Sequence, residues 1–257
     1  MTFGYDRTDD RLTLRRPGTR WLSNAAVPVG GDGGDSKGAD RPGGTVTADA
    51  AYNLTVPEGF QRTDLAAYAA ERLGGPVSAP ILLTGVSQRH ARGAHCRSVA
   101  AVVTAGLSNP ATLPMPGKGS EPPDPNPPDA DGDPGSDPRD AWRPGTVNVF
   151  VGTTRNLVAG AQVGLLATAV EAKTATLSAT VGVTGTSSDA VVVGCDPAGE
   201  ATRFAGSATT VGAAARVCVR EALRASLASR YAGETVPSPS SAEHGVSTEE
   251  TATVFEP

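Results

Sequence analysis

The chain has 257 residues, a formal net charge of −5, and 39% hydrophobic against 19% charged residues, enough for one large domain with a real core. That acidic balance argues against nucleic acid as a partner, because phosphate binding needs clustered Lys and Arg. No run approaches the ~18 apolar residues of a membrane span.

The start, MTFGYDRTDDRLTLRR, lacks the apolar core of a signal peptide, so a cytoplasmic protein is expected. Cys96, Cys195 and Cys218 are widely spaced and odd in number, which predicts free thiols.

In chain order, RLTLRR and RWLSNAAVPV read as strands. GGDGGDSKGADRPGG (Gly30 to Gly44) reads as a solvent loop, since it lacks the G-x-x-x-x-G-K-[ST] order of a phosphate cradle. TVTADAAYNLTV alternates as one long strand or a strand pair. TDLAAYAAERLGG predicts a helix with Thr63 as N-cap, Asp64 in the first turn and Gly74 as the stop. APILLTGV and SVAAVVTAGL are short apolar runs that predict interior strands, separated by the basic turn SQRHARGAHCR.

From Pro114 to Asp140 the chain is Pro-, Gly- and Asp-rich with almost nothing to bury, which predicts a disordered insertion at about 116–140. Then come a strand, GTVNVFVG, a helix from about Asn156 to Thr180, a polar loop, and an interior strand at Ala190–Val193. A final helix runs from about Thr210 to Arg230, with Val211, Ala215, Cys218 and Ala222 on one face. The pattern predicts an α/β or α+β fold, a single domain with a mixed β-sheet packed by helices. Its expected extent is residues 1–233, followed by a loose tail over 234–257.

Within the long helix, Val163, Leu166, Val170, Lys173 and Leu177 follow 3-4-3-4 spacing, so Lys173 takes a slot where an apolar residue is expected. Either its stem packs while its head reaches water, or its ammonium is buried and must be paired. Glu171 stands about 200° around the helix from Lys173 and one turn from Thr168, an ordinary surface position. In GTVN, Thr146 and Asn148 point to the same side of a strand, where a hydroxyl and an amide can meet one ligand. His90, His95 and His244 have no metal-site spacing, and no G-x-S-x-G elbow is present. Neither a metal nor a cofactor is expected.

Taken in order, RWLSNAAVPVGG, YNLTVP, LLTGV, TAGLSNP, GTVN, TAVEAKTATL and TGTSSDAVVV resemble the adenosylcobinamide amidohydrolases, the CbiZ family, from about Arg20 to Leu223. The most specific segments are VEAKT and the TGTxxD loop before a valine strand.

The resemblance implies hydrolysis of the amide between the aminopropanol arm and the corrin ring, in corrinoid salvage. The corrinoid is then substrate rather than cofactor. It further implies catalytic roles for Lys173, Glu171, Thr186, Ser188 and Asp189, and substrate contacts from Arg20, Asn53, Thr146, Asn148 and Thr184. In this reading Thr186 or Ser188 supplies a hydroxyl or orients water, Asp189 or Glu171 handles the proton, and amides around Gly185 or Gly145 hold the oxyanion. Where the family pattern reads GTGTDS, this chain reads Gly185-Thr186-Ser187-Ser188-Asp189-Ala190. Ala190 therefore cannot be a nucleophile, whereas Ser188 keeps a hydroxyl. The alternative is a corrinoid-binding or carrier protein without catalysis, although 4% aromatic residues is a thin supply for lining such a site.

Overall fold

An eight-stranded mixed sheet organises the molecule. The computed structural model describes residues 3–28, 40–115, 145–237, 242, 245–248 and 252–256. The expected insertion at 116–140 and His244 lie outside the described residues, as does most of the Gly30–Gly44 loop.

The chain opens with a hairpin of β1 (Gly4–Arg7) and β2 (Arg11–Pro28), and β3 (Asp40–Thr55) pairs antiparallel along β2. Helix α1 (Leu65–Leu73) leads to β4 (Ile81–Thr84), which lies parallel to β3. A hairpin of β5 (Arg92–Cys96) and β6 (Val99–Ala105) follows, then the short β7 (Pro110–Thr112). The second half contributes β8 (Val147–Thr153), β9 (Asn156–Leu157) and α2 (Ala159–Val181). After these come β10 (Gly185–Thr186), β11 (Ala190–Cys195), β12 (Ala201–Thr202), α3 (Thr210–Arg230) and β13 (Val246–Ser247). The main sheet runs β4-β3-β2-β11-β8-β6-β5, with β1 attached to β2.

Strands β8 and β11 are parallel neighbours joined through α2, a βαβ unit at the centre of the sheet. They and β6 are buried along their whole length, which is why they read as continuous apolar runs rather than alternating ones. Val147, Val149, Val151, Val191 and Val193 pack with α2 and α3 on one face. Phe150 and Val192 face the other way, against Leu12, Leu14, Trp21 and Leu82. The sheet thus curls until β2–β4 cover its second face. Across that curl the Asn148 side-chain amide on β8 reaches the Leu83 carbonyl on β4, at 2.9 Å.

Helix α3 has the expected bounds, and the Thr209 hydroxyl accepts from the Gly212 amide to cap it. Val211, Ala215, Cys218 and Ala222 are all buried on one face. Elsewhere local chemistry shifts the boundaries. Helix α1 takes Asp64 rather than Thr63 as N-cap, and the Asp64 carboxylate is held by the Arg62 guanidinium at 2.6 and 2.9 Å instead of capping. Helix α2 starts at Ala159, not Asn156, because Asn156–Leu157 pairs with β12. The basic segment expected as a turn holds a 3-10 turn at Gln88–His90 and then edge strand β5. In the expected tail, Val246–Ser247 pairs parallel with β7.

The buried face of α2 differs from the expected stripe. Val163 is 58% exposed and Leu166 and Val170 pack against the core only partly buried, whereas the fully packed residues are Ala161, Gln162, Leu165, Thr168, Ala169, Ala172, Lys173, Thr176 and Leu177. Alanines make this the packing side, because they let the helix approach the sheet and α3 closely. Lys173 belongs to it and is only 6% exposed, so its head does not reach water.

Candidate active site

The loop carrying β10 is organised around one carboxylate. Asp189 Oδ1 accepts from the Val147 amide at 2.9 Å and the Thr186 hydroxyl at 2.5 Å. Oδ2 accepts from the Thr186 amide at 3.1 Å and pairs with Lys173 Nζ. The ion pair is nearly sealed from solvent, with side-chain exposures of 8% and 11%. Glycine is required at 185, since a Cβ there would stand 2.5 Å from Asp189 Oδ2 and 2.9 Å from Lys173 Nζ. The polar turn is thus pinned to the α2 lysine and to the first residue of β8.

Pinning the turn brings two hydroxyls together. Thr146 Oγ1 and Ser188 Oγ lie 2.9 Å apart, and Ser188 also reaches the Gly145 carbonyl at 3.4 Å. Gly145 is packed as closely as Gly185, for a Cβ at 145 would stand 2.0 Å from Asn109 Oδ1 and 2.5 Å from Ser108 Oγ. Both hydroxyls line a cavity of about 690 Å³. Its other walls include Asn24, Phe60, Arg62, Leu65, Ile81 and Leu83, and Asp189 is the one acidic side chain among its described lining residues. Such a mostly apolar cavity with a few convergent polar groups is the usual form of a small-molecule site.

Of the residues implied by resemblance, Thr146, Lys173, Thr186, Ser188 and Asp189 come together here. Thr186 faces the carboxylate and is not among the cavity's lining residues. Asn53 and Asn148 sit side by side behind the cavity, both nearly fully buried. The Asn148 amide donates to Asn53 Oδ1 at 2.9 Å, and the Asn53 amide donates to Thr104 Oγ1 at 2.9 Å and Gln88 Oε1 at 3.2 Å. This network clasps β3, β6 and β8 across the curl.

Thr184 ties the loop to β7, its hydroxyl donating to the Ala111 carbonyl at 2.9 Å. Glu171 is on the outer face of α2, 3.0 Å from Arg216 of α3, as its 200° offset from Lys173 requires. Arg20 is paired with Cys195 at the far end of β11 and bonds the Leu157 carbonyl there.

Several of the main-chain amides around Gly185 and Gly145 are already committed. Those of Val147 and Thr186 donate to Asp189, that of Ser187 to the Asn109 carbonyl, and that of Thr184 to the Ala111 carbonyl. Among the described residues no group of three or more His, Cys, Asp or Glu side chains converges as a metal site.

The family model for adenosylcobinamide amidohydrolase matches residues 39–235. The chain belongs to the adenosylcobinamide amidohydrolase family. A Halobacterium salinarum protein named adenosylcobinamide amidohydrolase is 48% identical over 256 residues, covering 97% of each chain. The family match includes the Asp189 loop, Lys173 and Thr146, and both Arg20 and Asn24 precede it.

Sequence reasoning about this family member missed Asn24, whose side-chain carbonyl accepts from the Val191 amide at 2.8 Å and which lines the cavity. It also missed the wall at Phe60–Leu65. Asn24 stood in a quoted segment, RWLSNAAVPV, as the one carboxamide of a strand otherwise explained by burial. The wall gave no signal, because nothing local says that the entry to α1 folds over the end of β8. No helix among the described residues is long and apolar enough to cross a membrane.

Proposed function

We propose that this protein hydrolyses the amide joining the aminopropanol arm to the corrin ring of adenosylcobinamide, giving adenosylcobyric acid and 1-amino-2-propanol. Membership of the family and the halobacterial relative's name support the reaction class. The observation that carries the site assignment is the Thr146–Ser188 hydroxyl pair, set beside Asp189 in the cavity.

Amide cleavage needs a nucleophile, a place for the developing oxyanion, and a proton for the departing amine. Ser188, in contact with both Thr146 and the cavity, delivers or orients the attacking oxygen. Asp189 takes the proton and returns it to the amine. Of its four donors, the Thr186 hydroxyl is the one that can turn away to make room for that proton, because the two amides and the lysine are fixed by the fold. Lys173 is a positioning residue that holds the carboxylate in place. With the Val147, Thr184, Thr186 and Ser187 amides committed, the oxyanion is assigned to the Asn24 side-chain amide. Its carbonyl end is already engaged by Val191, leaving the NH2 group for the cavity.

The reaction is tested by incubating chelator-treated protein with adenosylcobinamide and following 1-amino-2-propanol by mass spectrometry. Release without added metal is expected. Release only after divalent metal is restored would keep the reaction and discard this metal-free route, and intact bound corrinoid would favour a carrier.

A further inference from the structure

A second cavity, of about 640 Å³, opens at the other end of β8, beside Thr154 rather than Thr146. The two positions are about 25 Å apart along an extended strand. This cavity lies between β1 and β5, each of which has one described strand partner. Its floor is apolar, formed by Leu12, Ala100 and Val102, and the half-exposed ring of Tyr5 stands over it. Its charged side chains are Arg7 and Arg97, whereas Arg92 turns to the other face of the sheet and bonds the Ser229 hydroxyl of α3 at 2.5 Å, and no carboxylate is among the described lining residues of this net-acidic protein.

The Arg7 guanidinium is held in place without being neutralised. Arg7 donates to the Arg89 carbonyl at 3.0 Å. By contrast Arg16, Arg62, Arg155 and Arg216 each pair with a carboxylate. Arg97 is the one non-glycine residue with positive φ, 54°, among the described residues, a strained position on the rim.

We propose that this cavity is a second binding site, for a nucleotide. A flat aromatic body lies over the apolar floor against Tyr5, and the phosphates meet the arginines. Two guanidinium groups, one of them held in place, suit a multiply charged oxyanion with paired acceptors. An exposed phenol ring beside them offers a stacking face.

The test is titration calorimetry of the full chain with ATP, adenosine and inorganic triphosphate. Gly93 faces this region, and a Cβ there would make only ordinary contacts, 3.5 Å from the Ala101 carbonyl and 3.6 Å from Val102. Gly93→Leu therefore fills the cavity while the sheet is kept. ATP is expected to bind saturably, with adenosine and triphosphate each at least tenfold weaker. Gly93→Leu and the double variant Arg7→Gln, Arg97→Gln should each weaken ATP at least tenfold, and Gly93→Leu should keep basal corrinoid hydrolysis. The double variant carries the test if Gly93→Leu does not fold. Absence of saturable ATP binding, triphosphate binding as tightly as ATP, or undiminished ATP binding by the folded variants would overturn the assignment.

Discussion

Lys173 Nζ of α2 meets Asp189 Oδ2 of the β10–β11 loop, and both side chains are nearly buried. Removing one partner leaves the other charge buried, so Lys173→Met is expected to cost about 3 kcal/mol. The double variant Lys173→Met, Asp189→Asn leaves no unpaired charge, and the single asparagine oxygen can still accept from the Val147 amide and the Thr186 hydroxyl. It should recover more than half of the lost stability in urea unfolding. A double variant no more stable than Lys173→Met would show that the charge itself was not the cause.

Glu171→Gln should leave hydrolysis within twofold of the parent and change stability by less than about 1 kcal/mol, because its pair with Arg216 is a surface one. Steady-state rates and a melting curve are sufficient. A large loss of rate would return Glu171 to the chemistry and require α2 to rotate.

Asn148→Ala would leave Asn53 Oδ1 and the Leu83 carbonyl without their buried donor. A loss of about 2–3 kcal/mol is expected from the urea midpoint. KM should change little, since the amide lies behind the cavity rather than in it. A selective rise in KM at unchanged stability would instead make Asn148 a substrate contact.

The thiols give a prediction with a pH sign. Burial pushes the Cys218 thiol up to about 11 from 9.0, and Cys195 is also buried, while Cys96 is half-buried. A thiol-specific disulfide reagent at pH 8 should modify Cys96 alone in the native protein, and all three cysteines in denaturant. Because Cys218 keeps in the folded state a proton that the unfolded chain releases above 9.0, its contribution to stability is full below that pH. It is lost as pH rises toward 11. Cys218→Ala should flatten that alkaline decline in melting temperature.

The central strands were legible because β6, β8 and β11 are apolar β-branched runs bounded by turn residues. Helix α3 was legible because its cap and buried stripe agree with one another. On α2 the periodicity pointed to Val163, and the packed face lies beside it, because alanine carries little hydrophobic signal yet packs most closely. Lys173 stood out as an anomaly, but its partner, 16 residues away, was visible only once the loop had a shape. Asn53 and Asn148 were matched by family resemblance to substrate contacts. Their mutual bond depends on the curl of the sheet, which no local pattern encodes.

The most direct test of the account is the turnover of Ser188→Ala with adenosylcobinamide binding measured alongside. Loss of at least one hundredfold in release of 1-amino-2-propanol is expected, with corrinoid affinity within threefold and melting temperature close to the parent. Near-parental release by the folded Ser188→Ala protein would contradict the assignment of the Thr146–Ser188 pair as the reaction centre.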